Sequence, residues 1–203
     1  VADLLLLRAG DELHAVERER TSLKPRPSLD RARRLFAVEW APEAGTKIAQ
    51  GEATQRAVDV AFDRGALAAA AQLIGLAGRL IEFGAEYAKE RHQFGKPIGS
   101  FQAVKHLLAD ALIRLEFTRP VVYRAAWSVA NDVPDRRRDV SMAKAAASEA
   151  ADHASRAALQ VHGAIGYTEE HDLHLWLLRA KALSSAWGNA AWHRSRVGTA
   201  VLG

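Results

Sequence analysis

The stretch YAKERHQFGKPIGSFQ, residues 87–102, decides how the rest of the chain is read. It closes one long helical pattern and opens the next, and it brings Arg91, Gln93, Phe94, Gly95, Pro97 and Gln102 into a single corner. A helix that ends in a cation and an amide, then turns through Gly-Lys-Pro, holds those side chains out as a fixed group. Taken alone, the stretch is accounted for by helix-end chemistry. Arg91 complements the negative end of the helix dipole, Gly95 supplies a left-handed C-terminal position, Pro97 prevents continuation and Phe94 joins the core.

Toward the N-terminus, residues 53–93 carry small and branched apolar positions on all sides, which predicts a long helix buried on most of its surface. Gly65, Gly75, Gly78 and Gly84 lie inside it. Each costs about 1 kcal/mol against alanine, which points to close approach of a neighbouring helix or a ligand. Residues 1–50 have strand character instead. VADLLLLRA starts as a strand would in the middle of a sheet, ELHAVERE alternates apolar with charged residues, SLKPRPSLD interrupts with two prolines, and RLFAVEWA is the next strand, ending at Pro42. A chain that opens inside a buried-looking strand is expected to have lost its beginning, and so few strands need cover from outside this sequence.

Toward the C-terminus a second helix is expected over about 100–131, after a serine cap and with a kink at Pro120. VPDRRRD reads as a solvated loop, with the arginines 136–138 between two aspartates. The third helix, about 140–162, is rich in alanine and stops at Gly163. AIGY forms a connector, Thr168 is an N-cap with Glu169 and Glu170 in the first turn, and a fourth helix runs to about 183. After SSAWGN a final helix covers about 190–201. The expected fold class is α+β, mainly α: a partial β-domain over 1–50 and an up-down helical bundle over 51–203.

Composition narrows the function classes. The chain has 203 residues, 49% of them apolar, enough for a real core. Its 28 Lys+Arg and 24 Asp+Glu are interleaved, so the pI near 9.6 fits anionic cofactors or CoA-type ligands as well as nucleic acid. With no cysteine, disulfides, thiolate metal sites and a cysteine nucleophile are excluded, which fits a reducing, cytoplasmic setting. No signal peptide is read, and no apolar run of membrane-span length. His171 and His174 stand near Glu170, but the Glu-x-x-His pairs of di-iron bundles do not occur, so no metal site is expected. Trp127, Trp176 and Trp192 fall on helical patterns as core or interface residues.

A second stretch, QVHGAIGYTEE at 160–170, reads either as a glycine helix end with a capped restart, or as a glycine-lined loop beside an anion-attracting helix N-terminus. The two stretches together, R-x-Q-F-G-x-P-I-x-x-F-Q and, some seventy residues on, Q-x-x-G-x-x-G-Y-T-E-E, resemble the C-terminal half of the acyl-CoA dehydrogenases. The resemblance covers essentially the whole chain. It implies that the opening strands are the second half of the family's middle β-domain, and that the two motifs contact the FAD of a neighbouring subunit. Arg91 and Gln93 would then meet the FAD diphosphate, with Phe94, Ile98, Phe101 and Gln102 on the adenosine side and Gln160, Gly163 and Ala164 forming the other wall. A guanidinium suits a diphosphate because its planar donors match phosphate oxygens and it stays charged. Ala164 stands where the family has a second glycine, which puts close backbone approach to the nucleotide in doubt.

The same resemblance exposes two departures. The family removes the α-proton of an acyl-CoA thioester with a glutamate while the β-hydride passes to FAD. Counted without gaps from Gln160, the position of that glutamate is Trp187, and indole can only donate. Members that carry the base on the long helix have it twenty-six residues before the motif arginine, which is Gly65 here. Asp63 is near in sequence but projects to nearly the opposite side of a helix. Loss of a general base costs about 10²–10⁴-fold. No catalytic residue is therefore assigned. The resemblance implies an FAD-dependent subunit that works with a paralogous partner, as in two-gene α2β2 enzymes of the steroid side-chain or fatty-acid β-oxidation type, with an acyl-CoA substrate and an electron-transfer flavoprotein as acceptor. A flavin-free scaffold subunit is the alternative.

Overall fold

The computed structural model describes residues 2–203. Two compact units divide at Phe62/Asp63, inside the long first helix, and each is described by itself.

The first unit is antiparallel. Strands β1 (Leu4–Ala9), β2 (Glu12–Glu17) and β5 (Lys47–Gln50) form one sheet in the order β1-β2-β5, with Leu7 opposite His14, and β3 (Ser22–Arg26) pairs β4 (Leu35–Glu39) in a second. β1 pairs with β2 on one side, and its Leu4 and Leu6 face outward. Its all-leucine run hides an alternation that only the pairing reveals. Of the two prolines of SLKPRPSLD, Pro27 follows the last residue of β3 and interrupts the strand as expected, and Pro25 does not. Pro25 lies within β3, in a two-stranded sheet where each strand has an unpaired side and a missing N–H is tolerated. At the centre of this unit His14 and Val16 are buried, and His14 Nδ1 lies 3.0 Å from the Thr46 hydroxyl.

The helices are α1 (Glu52–Glu90), α2 (Gln102–Ala130), α3 (Arg136–His162), α4 (Leu173–Ser185) and α5 (Ala190–Leu202). α3 is the axis of the second unit. Its alanines at 143, 147, 150, 151, 154, 157 and 158 are buried, because methyl side chains let neighbouring helices come close on several sides. At Gly84 an added Cβ would stand 2.9 Å from Leu108 Cδ2 of α2, so this position in α1 admits no side chain without a shift. By length and hydropathy α1 does reach the dimensions of a membrane span, contrary to the sequence reading, with a mean hydropathy of 1.4 over 18 residues; 44% of that window is buried inside the protein.

Several boundaries are corrected. α2 starts at Gln102 with Phe101 at its N-cap and no side-chain cap, so Ser100 is not the capping residue; it closes a short 3₁₀ turn instead. α2 continues through Pro120 as one helix. α3 begins at Arg136, four residues before expectation, and Arg136 is no solvated turn residue. Its Nε donates to the buried Asp63 at 3.1 Å, and Arg196 reaches the other carboxylate oxygen at 3.5 Å. Thr168 ends a 3₁₀ segment, Gly163–Tyr167, rather than capping α4, which starts five residues later. The cap that is present was not read: Asn189 Oδ1 accepts from the Trp192 backbone N–H at 2.9 Å.

Candidate functional site

The segment after α1 is a miniature β-hairpin rather than a helix cap. β6 (His92–Gln93) pairs β7 (Lys96–Pro97) through a two-residue turn, Phe94 at φ 53° and Gly95 at φ 76°. A turn of this hand needs positive φ at both central residues, which suits Asn-Gly and strains phenylalanine. Phe94 is nonetheless 90% exposed, so it does not join the core as its hydrophobicity predicts. An aromatic ring held out in water on strained backbone gains only a single ring contact within the chain. Phe94 meets Phe101 edge to face at 6.1 Å, and the Lys96 ammonium sits 4.5 Å over the Phe101 ring. Arg91, Gln93 and Gln102 are exposed around this pair, and Ile98 is half-buried beside them. Ile98 N–H donates to the Arg91 carbonyl at 2.8 Å, which fixes the backbone from which the guanidinium departs.

Gly99 was not singled out from the sequence, yet the hairpin's seat depends on it. A Cβ there would lie 2.9 Å from the Ala88 carbonyl oxygen, so only glycine lets the hairpin close onto the last turn of α1. Beside it a cavity of about 430 Å³ opens between α1 and α2, lined by Ala88, Lys89, Pro97, Val104, Lys105 and Leu108 among others.

The second stretch is joined to the first by stacked rings. Tyr87 lies on His162 at 4.4 Å, and His171 meets His162 at 4.7 Å. Burial holds His162 below its ordinary pKa, so the imidazole is neutral. Its Nδ1 donates to the Ala158 carbonyl at 2.7 Å, which leaves Nε2 a buried acceptor with no partner among the described residues. Beyond the stack, Gln160, Gly163 and Ala164 are all exposed, with Gly163 in the left-handed region at φ 63°. Ala164 is not among the positive-φ residues, so its backbone needs no glycine. The structure thus brings the roots of the two stretches together and leaves their polar ends accessible. As a donor set, a guanidinium, an ammonium, carboxamides and two aromatic rings suit a molecule with both anionic and flat aromatic parts.

A second constellation lies around residue 187. Trp187, at φ 58°, and Gly188, at φ 90°, link α4 to α5. The Trp187 indole lies directly on Gly65 of α1: a Cβ added at Gly65 would be 2.4 Å from Cε2 and 2.5 Å from Cζ2. The sequence treated these two positions separately, 122 residues apart (187 − 65), and the fold makes them one contact. Neither offers a carboxylate. The nearest in sequence, Asp63, is buried and engaged by Arg136 and Arg196.

Two buried groups pin this turn. His193, fully buried, has Nε2 2.8 Å from the Trp187 carbonyl and donates to it. Lys144, also fully buried, donates from Nζ to the Gly188 carbonyl at 3.1 Å, the Ser184 carbonyl at 3.0 Å and Ser148 Oγ at 3.1 Å. Burial lowers His193 to about 4, the Trp187 bond opposing it. Folded His193 therefore stays neutral where an unfolded imidazole is charged. Its contribution to stability is full above the ordinary value of 6.5 and declines as pH falls toward 4. Urea titrations from pH 7.5 to 4 should show that decline flattened in His193→Gln, which keeps a donor without a titrating ring; an unchanged slope refutes the assignment.

Gly65→Ala is a local test of the contact. The methyl overpacks the indole and lowers stability by about 1–3 kcal/mol, and the loss is recovered in Gly65→Ala/Trp187→Leu. Additive losses in the double variant count against the contact.

Comparison with known proteins bears on both constellations. Residues 55–202 match the family model described as acyl-CoA dehydrogenase, C-terminal domain. The acyl-CoA dehydrogenase IpdE2 of Mycolicibacterium smegmatis is 32% identical over 188 residues, covering 93% of this chain and 55% of that protein. Among solved structures, the ChsE4-ChsE5 complex from Mycobacterium tuberculosis superposes with a TM-score of 0.87 at 27% identity, covering all of this chain and 56% of the matched one. A structure described as an FAD-dependent dehydrogenase superposes with a TM-score of 0.85 at 27% identity, over 94% of this chain and 53% of that one. The chain spans about half the length of these relatives.

Proposed function

From the premise that this chain belongs to the acyl-CoA dehydrogenase family, we propose that it is an FAD-gripping subunit of an α,β-dehydrogenating acyl-CoA enzyme, one that has no catalytic base of its own. The single observation that carries this reading is the Trp187 indole lying on Gly65. The two positions at which the family places its glutamate are here one aromatic contact, with indole at one, no side chain at the other, and no room for a carboxylate at 65 while the indole stays.

The residues of the first constellation fit FAD. Arg91 and Gln93 would hold the diphosphate, Phe94 and Phe101 with Ile98 and Gln102 the adenosine side, and Gln160, Gly163 and Ala164 the facing wall. The strained, exposed Phe94 and the buried, unpartnered His162 Nε2 are the features that a bound molecule would account for. Bound FAD supplies the acceptor for the substrate's β-hydride. What this chain's own residues do is bind and orient: the hairpin presents cation and ring together, Gly99 seats it, and the Trp187 turn closes the position from which a proton would be abstracted. The acyl pocket and the glutamate belong, on this reading, to a paralogous subunit, in an assembly of the kind named for ChsE4-ChsE5, with an electron-transfer flavoprotein taking the electrons.

The test is purification of the intact protein with and without a paralogous subunit. Alone it should be nearly colourless and inactive, and together the two should be yellow and oxidise an acyl-CoA. Activity of the isolated chain refutes the missing base. A colourless complex that still assembles favours a flavin-free scaffold.

A further inference from the structure

Beneath the two stretches of the candidate site lie two histidines whose hydrogen bonds fit only uncharged rings. His162 stands in the last turn of α3 and is 3% exposed. Tyr87 of α1 stacks on it at 4.4 Å with 23° between the planes, and His171 meets it edge to face at 4.7 Å. The connector that follows α3 closes over the ring. A Cβ added at Gly166 would stand 3.1 Å from His162 Cβ, so glycine is what lets the 163–167 turn lie this close. All of this cover is made by the chain's own α1, α3 and connector.

The partners assign the protons. His162 Nδ1 donates to the Ala158 carbonyl at 2.7 Å, so the proton of the neutral ring is spent there and Nε2 is a bare acceptor. A second proton, at Nε2, would be a buried charged N–H with no acceptor among the described residues. His171 Nδ1 accepts the Leu173 backbone N–H at 3.1 Å, serving a donor in the first turn of α4 that has no intrahelical partner. A proton on that nitrogen would set donor against donor and release the connector from α4.

Two influences oppose this and are smaller. The C-terminus of α3 and the tyrosine face favour an imidazolium at 162 by about 0.3–1 and 0.5–1 kcal/mol. A buried charged N–H without an acceptor costs more than the roughly 1–3 kcal/mol of a neutral group. Burial is accordingly the main cause that holds His162 below its ordinary 6.5, with the Ala158 bond opposing and His171 reinforcing it. The other charged groups around the pair are engaged elsewhere or exposed. On α1, beyond Phe83, Arg79 is paired with Glu82 and Glu86. Glu169, Glu170 and Asp172 on the connector are exposed, and His174 of α4 donates from Nδ1 to the His171 carbonyl at 2.9 Å. Among the described residues no carboxylate pairs with either ring.

We propose that Tyr87, His162 and His171 form a proton-sensitive latch, in which uncharged rings hold the connector 163–172 down on α1 and α3, and protonation releases it. Its effect on binding rests on the flavin reading, because the connector carries Gly163 and Ala164 on one wall of the clamp and Tyr87 lies at the root of the hairpin on the other. The two histidines are positioning residues: they act through the backbone they hold. The same proton also removes the acceptor at His162 Nε2. With the closed ring below 6.5 and the released ring at its ordinary value, closure is complete above 6.5 and is lost as pH falls toward the closed-state value. The closing equilibrium changes by up to about tenfold per pH unit.

The intact protein, in complex with a paralogous subunit, tests both the mechanics and the effect. Hydrogen exchange of amides 163–173 is compared between wild type and His162→Phe at each pH, so that the intrinsic exchange rate cancels. Phenylalanine keeps a ring on Tyr87 and takes up no proton. The two should exchange alike at pH 7.5, and wild type should be about three- to tenfold faster at pH 5.5. Bound FAD, read by absorbance after gel filtration, should fall with pH in the wild-type complex and persist with His162→Phe. His171→Asn, whose carboxamide keeps an acceptor for the Leu173 N–H, should flatten both responses. His174→Gln should leave them unchanged, because the His174 bond uses the same Nδ1–H in either charge state. Equal exchange of wild type and His162→Phe down to pH 5.5 overturns the latch, as does equal loss of flavin from the two complexes or a response that His174→Gln abolishes. A wild-type connector that loosens in acid while no flavin is bound at any pH supports the latch and refutes the flavin reading.

Discussion

Lys144→Met lowers the stability of the protein by about 1–3 kcal/mol. Methionine conserves the length and most of the volume of lysine, so the loss is not one of packing. It comes from the three groups that Nζ serves: the Ser184 and Gly188 carbonyls and the Ser148 hydroxyl. Ser184 lies in the last turn of α4, where carbonyls have no intrahelical donor and the helix dipole favours a cation. A buried ammonium there acts as a C-cap delivered from another helix. With methionine, the carbonyls lose a charged donor, at about 1–3 kcal/mol for each group left unsatisfied.

Alkaline pH offers a second reading of the same residue. Burial lowers Lys144 to about 8, against an ordinary 10.5. Between those values the unfolded chain holds the proton that the folded chain has released, so wild-type stability rises with pH across this window and the variant lacks that rise. Chemical denaturation at pH 7 gives the first quantity and a series to pH 10.5 the second. A loss under about 1 kcal/mol with an unchanged alkaline slope refutes the capping role.

Arg91→Ala weakens FAD binding by about 10–100-fold while leaving the assembly intact. A charge-assisted hydrogen bond is worth about 1.5–3 kcal/mol, and a guanidinium opposite a diphosphate makes at least one. The backbone at Arg91 is held from both directions, its N–H bonded to the Tyr87 carbonyl at 2.9 Å and its carbonyl accepting from Ile98, so removing the side chain does not collapse the hairpin. The guanidinium itself has no partner among the described residues whose loss would unfold anything. The measurement is flavin per complex by absorbance after gel filtration, with the assembly mass recorded on the same sample. Arg91→Lys should recover part of the affinity, since the charge returns without the planar fork. Unchanged flavin content in Arg91→Ala overturns the clamp and leaves the scaffold reading.

Much of the architecture was legible because it is local. The change from alternating to helical periodicity near residue 52, the alanine-rich third helix and the glycine at its end each depend on residues within one or two turns of each other. Where local chemistry was read too simply, the neighbours explain why. Phe94 and Gly95 were read as part of a helix stop, but strand pairing of His92 with Pro97 claims them for a hairpin turn. Arg136 looked like part of a solvated loop because its acceptor, Asp63, is 73 residues away, while Arg138 does pair with the flanking Asp135 and Asp139. Thr168 has the chemistry of a cap, and its hydroxyl instead bonds back to the Ile165 carbonyl.

The sequence by itself determined the family and the order of the five long helices after the strands. These are carried by residue types at fixed short spacings. Tertiary structure alone decided that Trp187 rests on Gly65, that Lys144 caps a helix other than its own, and that His162 stacks on Tyr87. Each joins or separates residues according to how helices pack, and packing is settled by shape summed over the whole core rather than by any run of sequence. The absence of a carboxylate at 65 and 187 is therefore legible along the chain, and that the two positions meet is decided by the fold.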